Sequence, residues 1–109
     1  MELTKDDKRI AKEVIRRGIL RRHAQWQQEL RKLLDRPFTE KNNEYDRSMQ
    51  ITSKARKFYK EAIEMEEYYR NSMLLMGLAN LHYRHLITDD DLAELSEDVR
   101  QAINLFLNH

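Results

Sequence analysis

Punctuation is the strongest constraint on this chain. One proline, Pro37, and two glycines, Gly18 and Gly77, are all of those residue types in 109 residues. A sandwich or barrel needs Gly, Pro, Asn and Asp clusters at short intervals. The stretches between breakers here are far longer than a strand, so the expected fold is all-α.

Helix ends can be placed from side-chain chemistry. Thr4 precedes Asp7 by three residues, which suits an N-cap with a carboxylate near the positive end of the helix dipole. Pro37 disfavours helical geometry at Arg36, so the first helix is expected over about 4–35. Phe38 to Asn43 reads as a connection, with Thr39, Asn42 and Asn43 as candidate caps. The second segment, about 44–87, would be ~65 Å long if unbroken, at 1.5 Å per residue. A compact chain of this size has a radius of gyration of ~13 Å, so a break is expected near 71–77, at Asn71-Ser72 or Gly77. Thr88 followed by Asp89, Asp90 and Asp91 is the clearest helix start, and the third helix is expected over 89–107. No repeat, linker or low-complexity tract divides the chain, so residues 1–109 read as one helical domain.

Periodicity then assigns faces. In the first helix Ile15, Ile19, Trp26, Leu30 and Leu33 form one stripe, flanked by His23 and Leu34. In the second, the expected packing stripe is Tyr45, Met49, Thr52, Ala55, Tyr59, Ala62 and Ile63. In the third it is Leu92, Leu95, Val99, Ala102, Ile103 and Phe106. Residues 73–81 are apolar nearly all round, and such a helix is normally enclosed by protein. Two companion helices would struggle to enclose it. The expectation is therefore a long antiparallel helix pair plus a shorter third helix, completed as a bundle by dimerisation. Met73, Leu74, Leu75, Met76, Leu78 and Leu81 are the expected interface.

The net charge of +1 hides a strong polarity. Residues 1–36 carry 11 basic and 6 acidic side chains, whereas residues 88–109 carry 1 and 6. Arg16, Arg17, Arg21 and Arg22 are candidate phosphate contacts for a nucleic acid, which a basic helix can neutralise. The alternative is intramolecular, with the acidic third helix lying against the basic first. Glu66 and Arg70 have the favourable order for an i,i+4 ion pair.

Catalytic and metal chemistry find little support. The chain has no cysteine, hence no disulfide framework or thiolate site. Its serines lie outside any nucleophile-elbow motif, and no Gly-rich phosphate loop exists. Glu61, Glu64, Glu66 and Glu67 lack the Glu-x-x-His partners of di-metal carboxylate bundles and read as a solvated face. His82 and His85 could share a helix face toward Zn²⁺, but a site needs a third ligand. His23 or one of Asp89 to Asp91 could supply it, but the sequence gives no reason to place them there. The triple Asp lacks the Gly and the closing Glu of an EF-hand loop. Tyr68 and Tyr83 lie off the main stripes and are candidates for a second interface.

No apolar stretch approaches the ~18 residues of a membrane span, and Met1 to Asp7 lacks a signal-peptide core. The sequence therefore leads to a cytoplasmic, non-enzymatic, self-associating interaction or scaffold protein without cofactor or catalytic residues. The partner is a second copy, with a further protein partner as an option. The alternatives are a nucleic-acid-associated protein and a metal-binding helical bundle.

Overall fold

The computed structural model of the protein describes residues 2–107. Among the described residues five helices follow one another: α1 (Lys5–Asp35), α2 (Glu44–Glu66), α3 (Leu74–Tyr83), α4 (Asp89–Leu92) and α5 (Glu97–Leu107). Two 3-10 turns, Glu67–Tyr69 and Asn71–Met73, separate α2 from α3. No helix among the described residues is long and apolar enough to cross a membrane.

The caps behave as their chemistry requires. The Thr4 hydroxyl accepts from the Asp7 N–H at 3.0 Å. Asn43 and Asp46 form a reciprocal capping box that starts α2, and Thr88 and Asp91 form another that starts α4. At the far end of α1 the buried Arg47 takes over the capping role. Its guanidinium donates to the carbonyls of Leu34 and Arg36 and lies 4.2 Å from the Phe38 ring centroid. Those carbonyls have no intrahelical partner, so one side chain from α2 closes the tip of the helix pair.

The second segment breaks over 67–73, which takes in the expected Asn71-Ser72, and Arg70 there is extended (φ −68°, ψ 137°). Three other expectations are corrected. Arg70 therefore leaves the helical register of Glu66 and pairs with Glu67 at 2.7 Å instead. Gly77 marks a close approach. A Cβ there would lie 2.6 Å from the Tyr68 Cβ, so its lack of a side chain lets α3 pack on the turn that precedes it. The third helix is split at 93–96. The Ser96 N–H and hydroxyl both donate to Asp7, at 3.3 and 3.1 Å, and the Ser96 carbonyl accepts from Arg100 to begin α5.

The third correction is a rotation of α2. Tyr45, Met49, Tyr59 and Ile63 are exposed, and α2 instead buries Arg47, Phe58 and Met65. Phe58 stacks on Trp26 of α1, with ring centroids 5.1 Å apart and planes 14° from parallel, and meets His23 edge-on at 5.0 Å. Aromatic pairs of this geometry add roughly 0.5–1.5 kcal/mol to their area burial. They select the face carrying Phe58 over the one carrying Tyr45, Met49 and Tyr59.

The molecule is elongated, 57 × 25 × 22 Å with a radius of gyration of 17.6 Å. Its core lies at one end. Ala11, Val14, Ile15 and Ile19 of α1 meet Met65, Leu74, Leu78 and Leu81, with Leu86, Ile87, Leu92, Leu95, Val99 and Ile103 closing the cluster. Beyond Arg22, α1 packs on α2 through His23, Trp26 and Phe58, and these two helices form an arm.

Candidate interaction surfaces

The four arginines of α1 have different fates. Arg21 Nη1 lies 2.6 Å from Asp91 Oδ2 and 2.9 Å from the Leu86 carbonyl. Arg17 Nη1 reaches Asp91 Oδ1 at 3.3 Å, and the Arg17 guanidinium engages both carboxylate oxygens of Glu94. Arg22 grips Glu61 of α2 through Nε and Nη2, at 2.7 and 3.1 Å. Arg84 joins the same carboxylate from the end of α3. Arg16 alone is exposed with no carboxylate within 4 Å among the described residues. Three of the four candidate phosphate contacts are thus occupied by the chain's own acids. These contacts realise the intramolecular alternative, as a clamp that ties α1 to α2 and to the segment around α4.

The clamp perturbs its members in consistent directions. Arg21's hydrogen bond, helped by the Thr88 N–H and hydroxyl, holds the Asp91 carboxyl far below the usual carboxylate range, against the opposing effect of burial. Arg22, with Arg84, holds Glu61 below its ordinary value. Arg17, Arg21 and Arg22 are raised by the same bonds.

The expected dimer residues also divide. Leu74, Leu78 and Leu81 are completely buried in the chain's own core. In this conformation they face no second copy. Their enclosure comes from α5, α1 and the Glu67–Tyr69 turn, all packed on α3. Met73 and Leu75 are half-buried, and Met76 is 41% exposed. Met76 lines a shallow groove of about 200 Å³ with Ala79, Asn80, Tyr83 and Phe106, between α3 and α5. Tyr83 is 74% exposed and Phe106 51%. Both residues were legible as apolar, but nothing in the sequence pointed to their meeting across a groove.

His82 is 2.9 Å from Asp89 Oδ1 through Nε2. His85 sits at the left-handed residue that ends α3, with φ 60°, and the Leu86 N–H reaches back to the Leu81 carbonyl at 2.9 Å. That is the Schellman termination, usually served by glycine. The two histidines thus act on the helix end and on α4. No group of three or more His, Asp or Glu suited to a metal occurs among the described residues.

Sequence reasoning passed over the cations of α2. Residues 47–60 hold five basic and no acidic side chains. Arg47 is the buried clamp, but Lys54, Arg56, Lys57 and Lys60 are exposed. None of the four has a carboxylate within 4 Å among the described residues, where the ion pairs belong to Arg9, Arg17, Arg21, Arg22, Arg70, His82 and Arg84. The signal was present as an acid-free run.

Comparison with protein-family models, with curated proteins and with solved structures finds no match to this chain.

Proposed function

We propose that the protein is a non-enzymatic helical interaction module of the cytoplasm that self-associates through the groove between α3 and α5. One observation carries the reading: Met76, Tyr83 and Phe106 stand exposed around a single apolar depression. Clustered apolar surface of this kind marks association sites more often than scattered exposed residues do. A two-fold contact would place the same groove of each copy against the other, the commonest arrangement for soluble homo-oligomers. Aromatic residues and Met are also the types enriched at such interfaces. The neighbouring Leu78 supports the fold, and Met76 is free to support assembly.

Met76→Glu tests this cleanly, because the side chain is half in solvent and its loss leaves the core intact. Sedimentation equilibrium at tens of micromolar should give a dimer mass for the parent and a monomer mass for the variant, with unchanged helical circular dichroism. A parent that is monomeric at that concentration, or a variant that still dimerises, refutes the groove as the interface.

A further inference from the structure

The clamp at one end of the molecule makes the free cations of α2 informative. Where α1 carries arginines, the fold supplies carboxylates: Asp91, Glu94 and Glu61. Where α2 carries Lys54, Arg56, Lys57 and Lys60, it supplies none within 4 Å among the described residues. Glu61 borders the same surface cleft as Lys54 and Lys57, but it is held by Arg22 and Arg84; Glu29, also in the cleft, leans on Arg22 at 3.5 Å. Glu64, one turn beyond Lys60, forms no ion pair with it among the described residues.

The four cations also form a row. At 100° per residue Arg56, Lys60, Lys57 and Lys54 fall in sequence across roughly 160° of α2, with Tyr59 about 60° beyond Arg56 on the other side. Tyr59 is 66% exposed. The row occupies about 9 Å of helix axis. The same axial length of duplex DNA carries about five phosphates, at one charge per ~1.7 Å. Lysine, arginine and tyrosine are all residue types that contact phosphate oxygens. Meanwhile Asp89, Asp90, Glu97 and Asp98 keep the α4–α5 end acidic, so a polyanion is repelled there and directed to the arm.

We propose that this face of α2 binds the phosphodiester backbone of nucleic acid without reading sequence. Charge complementarity selects the partner. An anionic membrane fits less well, because Thr52 and Arg56 interrupt the apolar stripe of Tyr45, Met49, Tyr59 and Ile63 that insertion would need. The inference is independent of self-association, since the row and the α3–α5 groove share no residue.

Fluorescence anisotropy with a labelled 20-base-pair duplex, run across a salt series, tests it. The expected slope of log K against log salt is about −2.7 to −3.6, for three to four neutralised phosphates. Lys57→Gln should reduce that slope by about 1 and weaken binding several-fold at low salt, while Lys57→Arg restores both. Lys12→Gln removes the same charge from α1 and should leave the slope unchanged. The Met76→Glu protein should bind as the parent does, which separates this result from the fate of the dimer. No binding at 20 mM salt overturns the proposal, as does an equal loss in Lys12→Gln and Lys57→Gln. Capture by phosphatidylserine vesicles without capture of duplex overturns it in favour of a membrane surface.

Discussion

The two ends of this molecule are built from the same two kinds of side chain and dispose of them oppositely. At the packed end, leucines and isoleucines from four helices are sealed, and Arg17 and Arg21 are matched to Asp91 and Glu94. In the arm, α1 and α2 share a thin seam of Trp26, Leu33 and Phe58, while Tyr45, Met49, Tyr59 and four cations face outward. A two-helix layer can bury one stripe of each helix and no more. The packed end therefore holds the stability, with Met76, Tyr83 and Phe106 exposed around its α3–α5 groove, and the arm leaves apolar and cationic side chains exposed along α2. Stability is distributed unevenly in such structures, with local opening far below the global value.

That contrast sets the order of expected effects. Leu78→Ala removes a fully buried side chain from the sealed core and should cost about 2–5 kcal/mol of global stability in urea unfolding. Phe58→Ala removes a comparable apolar volume from the arm. Its expected effect is faster amide exchange over 44–60, with a smaller loss in the global transition. If the two variants lose global stability equally, the arm and the packed end are one cooperative unit and the contrast fails.

The ion pairs of the clamp come next. Asp91 and Glu61 have carboxyls depressed in the folded state. A depressed carboxyl contributes stability that is present above its unfolded value, about 4, and is lost as pH falls through the lower folded value. Thermal unfolding should therefore be flat above about pH 5 and decline below pH 4. Glu61→Gln should shallow that decline and cost roughly 1–3 kcal/mol at neutral pH, because Arg22 and Arg84 lose a shared partner. An unaltered acid profile in this variant would remove Glu61 from the account.

The smallest effect belongs to the end of α3. His85 is a non-glycine residue at φ 60°, a conformation costing most residues about 1–2 kcal/mol. His85→Gly should raise stability by about 0.5–1 kcal/mol after the entropy glycine loses on folding. A measured loss would mean that the imidazole makes a compensating contact.

Much of this architecture was legible in the residues. Thr4, Pro37, Asn43 and Thr88 mark helix ends through hydrogen bonds and sterics that need no tertiary context, and α1 runs over Lys5–Asp35 as expected from 4–35. The stripe of Ile15, Ile19 and Leu33 is buried, and the intramolecular option for the basic first helix is realised in Arg17, Arg21 and Asp91. What the sequence hid depends on tertiary choice. No Pro or Gly marks 67–73, so the reversal that lets α5 and α1 enclose Leu74, Leu78 and Leu81 has only Asn71-Ser72 as a local sign. The face of α2 that packs is decided by Phe58 meeting Trp26, a contact between residues 32 positions apart. Gly18 shows the same limit. It reads as a helix weakness, yet a Cβ there would lie 2.9 Å from the Ile87 Cγ2.

Native-state hydrogen exchange resolved by residue tests the division most directly. The account predicts that amides of α3 and of residues 11–19 in α1 exchange only through global unfolding, while those of 44–60 exchange through a lower-energy local opening. Protection of the arm equal to that of α3 would contradict it.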